Sequence, residues 1–362
     1  MMSLPLYASL TAGWMALAVV ALLGAGSSPQ LRGVLAFVLL GLGIAGHVPV
    51  ADAAQALMAL CPALALCVET CRPADRRDAA RSGGLKALLP FILSGNASLA
   101  LAFGRCDLLG VFIGASLAVR LAGAWGPRGL DGDGWRLLRG TAAGLILAQG
   151  GLFLLRAGWG TMPDQAGAVL LVGGLFMACG LLSSPAHAPM EGNRDQLMVI
   201  PVIALAAGSW PQLAPVLTFF ALVCLTWSVL PRQGRETCVP DWGGWALLAA
   251  GLPARQASLP LAACLLMLAC TPRVGHGPGE GRKGMNNLIL WPPFLPGMAL
   301  VLVLVVQMRA SVPIGLLAGV SLWPSLAGRG QAPVSFRGRT LLLLALGCMV
   351  LAIVVRRGMI QP

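Results

Sequence analysis

Residues 290–305 read LWPPFLPGMALVLVLV and carry no charged side chain from end to end. Such a run is typical of a helix that crosses a membrane. Three prolines and a glycine interrupt its first half between Pro292 and Gly297. Because proline lacks an amide proton and kinks a helix, the stretch predicts a helix over 286–308 that is broken near Pro292–Gly297.

The composition of the whole chain agrees with this stretch. Of the 362 residues, 57% are hydrophobic and 10% are charged. An ordinary soluble domain carries about 25% charged residues, so the composition argues against a soluble protein. The sequence predicts an all-α, polytopic integral membrane helical bundle.

Apolar runs of sufficient length recur along the chain and predict about fourteen transmembrane helices, of which the twelfth is the broken one. The predicted spans are 4–26, 31–50, 52–70, 85–104, 107–126, 137–157, 164–183, 195–210, 212–231, 242–254, 257–270, 286–308, 311–328 and 339–356. We expect a single transmembrane domain over 1–362, within which 85–231 and 242–356 are candidates for a pseudo-repeat.

The positive charges orient the predicted bundle. With the N-terminus outside, the inside loops hold roughly three times as many basic residues as the outside loops, as the positive-inside rule requires. Loops 71–84 (CRPADRRDAARSGG) and 232–241 are then cytoplasmic. These topology signals account for the net charge of +12, so we expect no nucleic-acid partner. The Arg-rich, Ala-rich composition favours a bacterial cytoplasmic (inner) membrane.

The ten cysteines give no indication of a metal centre. No CxxC pair occurs, and none of the three histidines stands at ligand spacing from a cysteine. We interpret the cysteines as small buried apolar residues. The sequence predicts no metal, no cofactor and no catalytic residue.

Few polar residues fall inside the predicted spans, where a charge is costly and therefore often functional. Arg120, in the fifth span, either snorkels to the interface or faces an anionic substrate. His47 and Asp52 flank an outer junction and are either turn residues or a proton relay. Asp107 opens a span and is either a helix cap or part of the same polar path. Gln149 is expected to hydrogen-bond between helices.

Three stretches together resemble one family of membrane proteins. They are DLLGVFIGASLAVRLAGAW (107–125), VLLVGGLFMACGLLSSPAHAP (169–189) and LWPPFLPGMALVLVLV (290–305). In this order they resemble the fifth helix, the seventh helix with its following loop, and the broken twelfth helix of the antiporter-like subunits of respiratory complex I. Relatives of those subunits occur in membrane-bound hydrogenases and Mrp-type antiporters. The resemblance implies the same number of core spans, with both termini outside.

The charged axis of that family is missing at the matching positions. A characteristic Glu of the fifth helix is matched by Ser116, a Lys of the seventh by Met177, and a Lys after the break in the twelfth by Val301. Span 195–210 also lacks the Lys or His of the family's eighth helix. Such Glu–Lys pairs tune each other's pKa and let protons move. The resemblance therefore implies a degenerate, non-pumping member with a dry, apolar core around these positions.

Three functions stay open. The first is a non-catalytic structural subunit of a redox-driven proton-translocating complex, complex I-like or membrane hydrogenase-like, whose partners are other membrane subunits and lipids. The second is a stand-alone transporter of a small solute or anion, with Arg120 facing the substrate. The third is a membrane enzyme acting on lipid-linked substrates, for which the placed polar residues are His47, Asp52, Asp107 and Asp164.

Overall fold

The computed structural model describes residues 132–178, 192–229, 242–270 and 294–322, together with 347, 348 and 350. The chain divides into two compact units, Met1–Val216 and Leu217–Pro362. The helices of the described residues are α1 (Gly132–Ala157), α2 (Thr161–Ala178), α3 (Gly192–Ser209), α4 (Leu213–Val229), α5 (Trp242–Ala250), α6 (Ala254–Cys270), α7 (Leu295–Ala310) and α8 (Val312–Val320).

These helices lie at the apolar runs predicted between residues 137 and 328, whereas nearly all of the predicted span 339–356 lies outside the described residues. The predicted span 212–231 contains α4, and the predicted span 257–270 lies within α6. The predicted spans that end before residue 132 lie outside the described residues. None of the described helices combines the length and the apolar character that crossing a membrane requires.

The helices α1 and α2 form an antiparallel hairpin with a glycine-containing turn. In the turn, Gly158 and Gly160 have positive φ angles of 60° and 117°. Glycine adopts these conformations without the steric penalty of a Cβ atom. The Asp164 amide donates a hydrogen bond to the Gly160 carbonyl oxygen at 3.0 Å. The two glycines therefore let the chain reverse within a few residues and start α2 directly.

Four glycines bring the two helices of the hairpin into backbone contact. Gly144 lies opposite Gly174, and Gly151 lies opposite Gly167. A Cβ built on Gly144 would lie 2.5 Å from the Gly174 carbonyl oxygen, and one built on Gly151 would lie 2.5 Å from the Gly167 carbonyl oxygen. On each helix the two glycines are seven residues apart, which is about two helical turns and places them on one face. We call this contact the glycine seam.

Apolar side chains cover both the inner and the outer faces of this hairpin. The buried residues beside the glycine seam include Ala148, Leu152, Ala168, Leu171 and Leu175. The exposed large apolar residues include Ile146, Leu147, Phe153 and Val169. An amphipathic helix pair in water is apolar on its inner face only, so the hairpin departs from that pattern.

Helix α3 contains a proline and helix α4 contains a threonine, and neither residue ends its helix. Helix α3 continues through Pro201, which is buried. After α3, the Trp210 amide donates to the Ala206 carbonyl oxygen at 2.9 Å, and the Leu213 amide donates to the Trp210 carbonyl oxygen at 3.0 Å. In α4, the Thr226 hydroxyl donates to the Leu222 carbonyl oxygen at 2.8 Å. This bond satisfies a hydroxyl within an otherwise apolar helix.

The helix α5 has nine residues, and all of them are buried. The helix is interrupted at Gly251–Pro253, and the polypeptide continues as α6, which packs against α5. Beside this break, Leu252, Ala257 and Val306 of α7 form an apolar cluster. Nine residues rise about 14 Å, which is less than half of the ~30 Å hydrocarbon thickness of a bilayer. The predicted span 242–254 thus contains a half-length helix.

The helix α7 begins inside the interval in which the sequence predicts a break. Its first residue is Leu295, and Phe294 before it is extended, with φ −66° and ψ 148°. Pro296 lies in the first turn, where a helix needs no amide proton. A continuous helix through 286–308 therefore does not occur. The part of that span before residue 294 lies outside the described residues.

The helix α8 folds back on α7 after one extended residue, Ser311, whose φ is −159° and ψ 107°. The Ser311 amide donates to the Gln307 carbonyl oxygen at 2.7 Å. Gly315 lies against Met308 so closely that a Cβ on the glycine would be 2.6 Å from the methionine Cγ. Helix α8 has nine residues, so the described part of the predicted span 311–328 also contains a half-length helix.

Candidate functional site

The structure describes Gln149 and Asp164 and two of the positions where the resemblance expects a charged residue, Met177 and Val301. Met177 lies on α2 and Val301 lies on α7, and they belong to different compact units. The other predicted positions, Ser116, His47, Asp52, Asp107 and Arg120, lie outside the described residues.

Met177 lies at the edge of the glycine seam. Its Cβ is 3.0 Å from the position that a Cβ on Gly144 would occupy. Nevertheless, the Met177 side chain is 49% exposed, while the neighbouring Ala178 is buried. The glycine seam occupies the inward face of α2, so the methionine side chain extends to the outer side of the hairpin.

Val301 lies on the outer face of α7. It is 42% exposed, and Val305 and Met308, which follow it at helical spacing, are exposed as well. Ala299 and Val303 are fully buried on the other side of the same helix. These residues divide α7 into a buried face and an outward apolar stripe.

Neither Met177 nor Val301 is enclosed by the described helices, and the dry core expected around them stays a prediction. Smaller residues occupy the inward positions beside Met177. On α2 these are Gly167 and Gly174. Replacement of the family's charged axis by neutral residues at these positions stays a prediction from the resemblance.

Gln149 lies on the outer face of the α1–α2 hairpin. The residue is exposed on α1. The inward face of α1 is set by Gly144 and Gly151, and Gln149 lies on the opposite side of the helix because successive residues are rotated by about 100°. Gln149 therefore does not face α2, and its predicted hydrogen bond to another helix stays a prediction.

A buried amide that the sequence analysis did not single out lies near the end of α7. Gln307 is 4% exposed and is the one buried polar side chain reported among the described residues. Its Oε1 atom has no hydrogen-bond partner. An unpaired buried acceptor costs about 1–3 kcal/mol. The sequence signal was a lone amide inside an apolar run, next to Val306 of the apolar cluster at the α5–α6 break.

The described residues assemble no constellation of titratable groups. Within these ranges, no three His, Cys, Asp or Glu side chains lie close enough to hold a metal ion. Asp164 lies in the first turn of α2, where a carboxylate interacts favourably with the helix dipole. Cys264 is fully buried within the apolar α6. The Oδ1 atom of Asp164 is buried without a hydrogen-bond partner.

Comparison of the chain with protein-family models, with curated proteins and with solved structures finds no match in any of the three. The resemblance to antiporter-like subunits therefore rests on the three sequence stretches and their order.

Proposed function

We propose that this chain is a non-pumping, degenerate antiporter-like subunit of the bacterial inner membrane. In this role it contributes structure and partner binding to a redox-driven proton-translocating complex of the complex I or membrane-hydrogenase type. The observation that carries the proposal is the distribution of side-chain size in the α1–α2 hairpin. The four glycines of the glycine seam hold the two backbones in contact, with alanine and leucine side chains buried beside them, while further isoleucine, leucine and phenylalanine side chains face outward.

This distribution supports apolar surroundings for a physical reason. In water, two helices associate by burying large apolar side chains and keep polar residues outside. In lipid that driving force is absent, so helices associate through close backbone contact between small residues. The pairs Gly144–Gly174 and Gly151–Gly167 make such contacts, whereas Ile146 is 65% exposed on the outside.

The same arrangement recurs in α8. Its buried residues are Gly315 and Ala318. Its exposed large apolar residues are Val312, Leu316, Leu317 and Val320. Contiguous exposed apolar surface of this kind marks a membrane or protein interface. The apolar character that supports the proposal is thus spread over the outward faces of several helices.

The absence of pumping is supported by the residues that the described helices bury. Among the described side chains, the buried ones are apolar except for the thiols of Cys224 and Cys264 and the amide of Gln307. Proton movement needs titratable groups or a chain of water molecules, and apolar cavities normally stay dry. Met177 and Val301, where the resemblance places lysines, supply neither charge nor hydration.

The experiment that tests the proposal is purification from native membranes in a mild detergent. We expect the chain to resist extraction by alkaline carbonate and to co-migrate on native gels with subunits of a quinone- or hydrogen-linked redox complex. Release of the chain into the carbonate supernatant would contradict the membrane location. A chain that stays in the membrane, migrates alone and moves a solute in proteoliposomes would contradict the subunit role and support the transporter alternative.

A further inference from the structure

We draw no further inference here: the strongest candidate, the exposed apolar face of α1 that presents Ile146, Leu147 and Phe153 around Gln149, carries nothing because nothing in the structure shows what covers it.

Discussion

Gly144 and Gly174 face each other so closely that a Cβ on Gly144 would lie 2.5 Å from the Gly174 carbonyl oxygen. Real Cβ atoms do not approach an oxygen to that distance. The spacing between α1 and α2 therefore depends on the absence of side chains at these two positions. Dispersion between the two backbones, summed over many atom pairs, replaces the contacts that larger side chains would make.

Gly174→Ala should loosen the hairpin. The new methyl group would meet the Gly144 carbonyl oxygen and the Ala148 backbone, so the helices must separate, and we expect a loss of about 1–3 kcal/mol in the free energy of unfolding. The matched control is Gly150→Ala, because a Cβ on Gly150 meets nothing within 4 Å. The control should be neutral or stabilising by up to about 1 kcal/mol, since alanine favours the helix. Denaturant titration in detergent, followed by circular dichroism, measures both, and equal effects would refute the glycine seam.

Gly158 and Gly160 should differ in the replacements that they tolerate. Gly158, with φ 60°, is in the left-handed region, where asparagine is accepted, so Gly158→Asn should cost little. Gly160, with φ 117°, lies outside that region, and Gly160→Asn should cost about 1–3 kcal/mol. The same titration checks the difference. Equal tolerance at both positions would show that the turn has another backbone conformation.

Gln307→Met should stabilise the chain. Methionine has a similar shape and removes an acceptor that has no hydrogen-bond partner, so we expect a gain of about 1 kcal/mol. The matched control is Gln149→Met on the exposed face of α1, which should change stability by less than about 0.5 kcal/mol. Thermal unfolding of the two variants side by side makes the comparison. Destabilisation by Gln307→Met alone would show that the amide is hydrogen-bonded in the assembled protein.

The variant Met177→Lys tests whether the surface of α2 around residue 177 faces water or is covered by lipid or by a partner protein. The side chain is 49% exposed, and an exposed lysine in water changes stability by less than about 0.5 kcal/mol. In a bilayer the same lysine costs roughly 2.5–3.5 kcal/mol at a helix centre, so we expect reduced insertion and assembly. Met177→Leu is the control and should leave both assembly and the proton-to-electron ratio of the parent complex unchanged. Normal assembly without pumping in Met177→Leu would overturn the scaffold role.

The predicted topology can be tested by labelling in intact cells. Loop 71–84 is predicted to be cytoplasmic, so Arg77→Cys should react with a membrane-impermeant thiol reagent only after the cells are opened. Gln256, which is exposed in the first turn of α6, is predicted to be outside, so Gln256→Cys should react in intact cells. The parent chain gives the background of the native cysteines. The reverse pattern of labelling would invert the orientation that the positive-inside rule predicts.

Much of the helix placement could be predicted because apolar runs and helix-breaking residues are local properties. Predicted span 212–231 and the observed Leu213–Val229 nearly coincide. The break predicted at 255–256, between the tenth and eleventh spans, falls a few residues earlier in the structure, at Gly251–Pro253, where proline cannot supply an amide proton to continue α5. The length of a helix such as α5 was harder to predict. A short apolar run does not show at which residue the helix ends when it packs against α6 and α7.

The inward face of each helix could not be predicted from the same pattern. Gln149 and Gln307 are both single amides within apolar runs. The first is exposed and the second is buried. A helix that is apolar all around has no hydrophobic periodicity to mark its buried side. The same lack of periodicity explains why the sequence does not show that Met177 and Val301 are exposed on their helices.

The sequence by itself determined the helical, apolar character of the described segments and the places where proline and glycine interrupt them, because those properties depend on neighbouring residues alone. It also contains the seven-residue spacing of the glycines on α1 and on α2. Only the tertiary structure decided that Gly144 meets Gly174 and that Gly151 meets Gly167. That pairing depends on the register of two antiparallel helices, and the register is set by how closely their backbones can approach once the turn at Gly158 and Gly160 has reversed the chain.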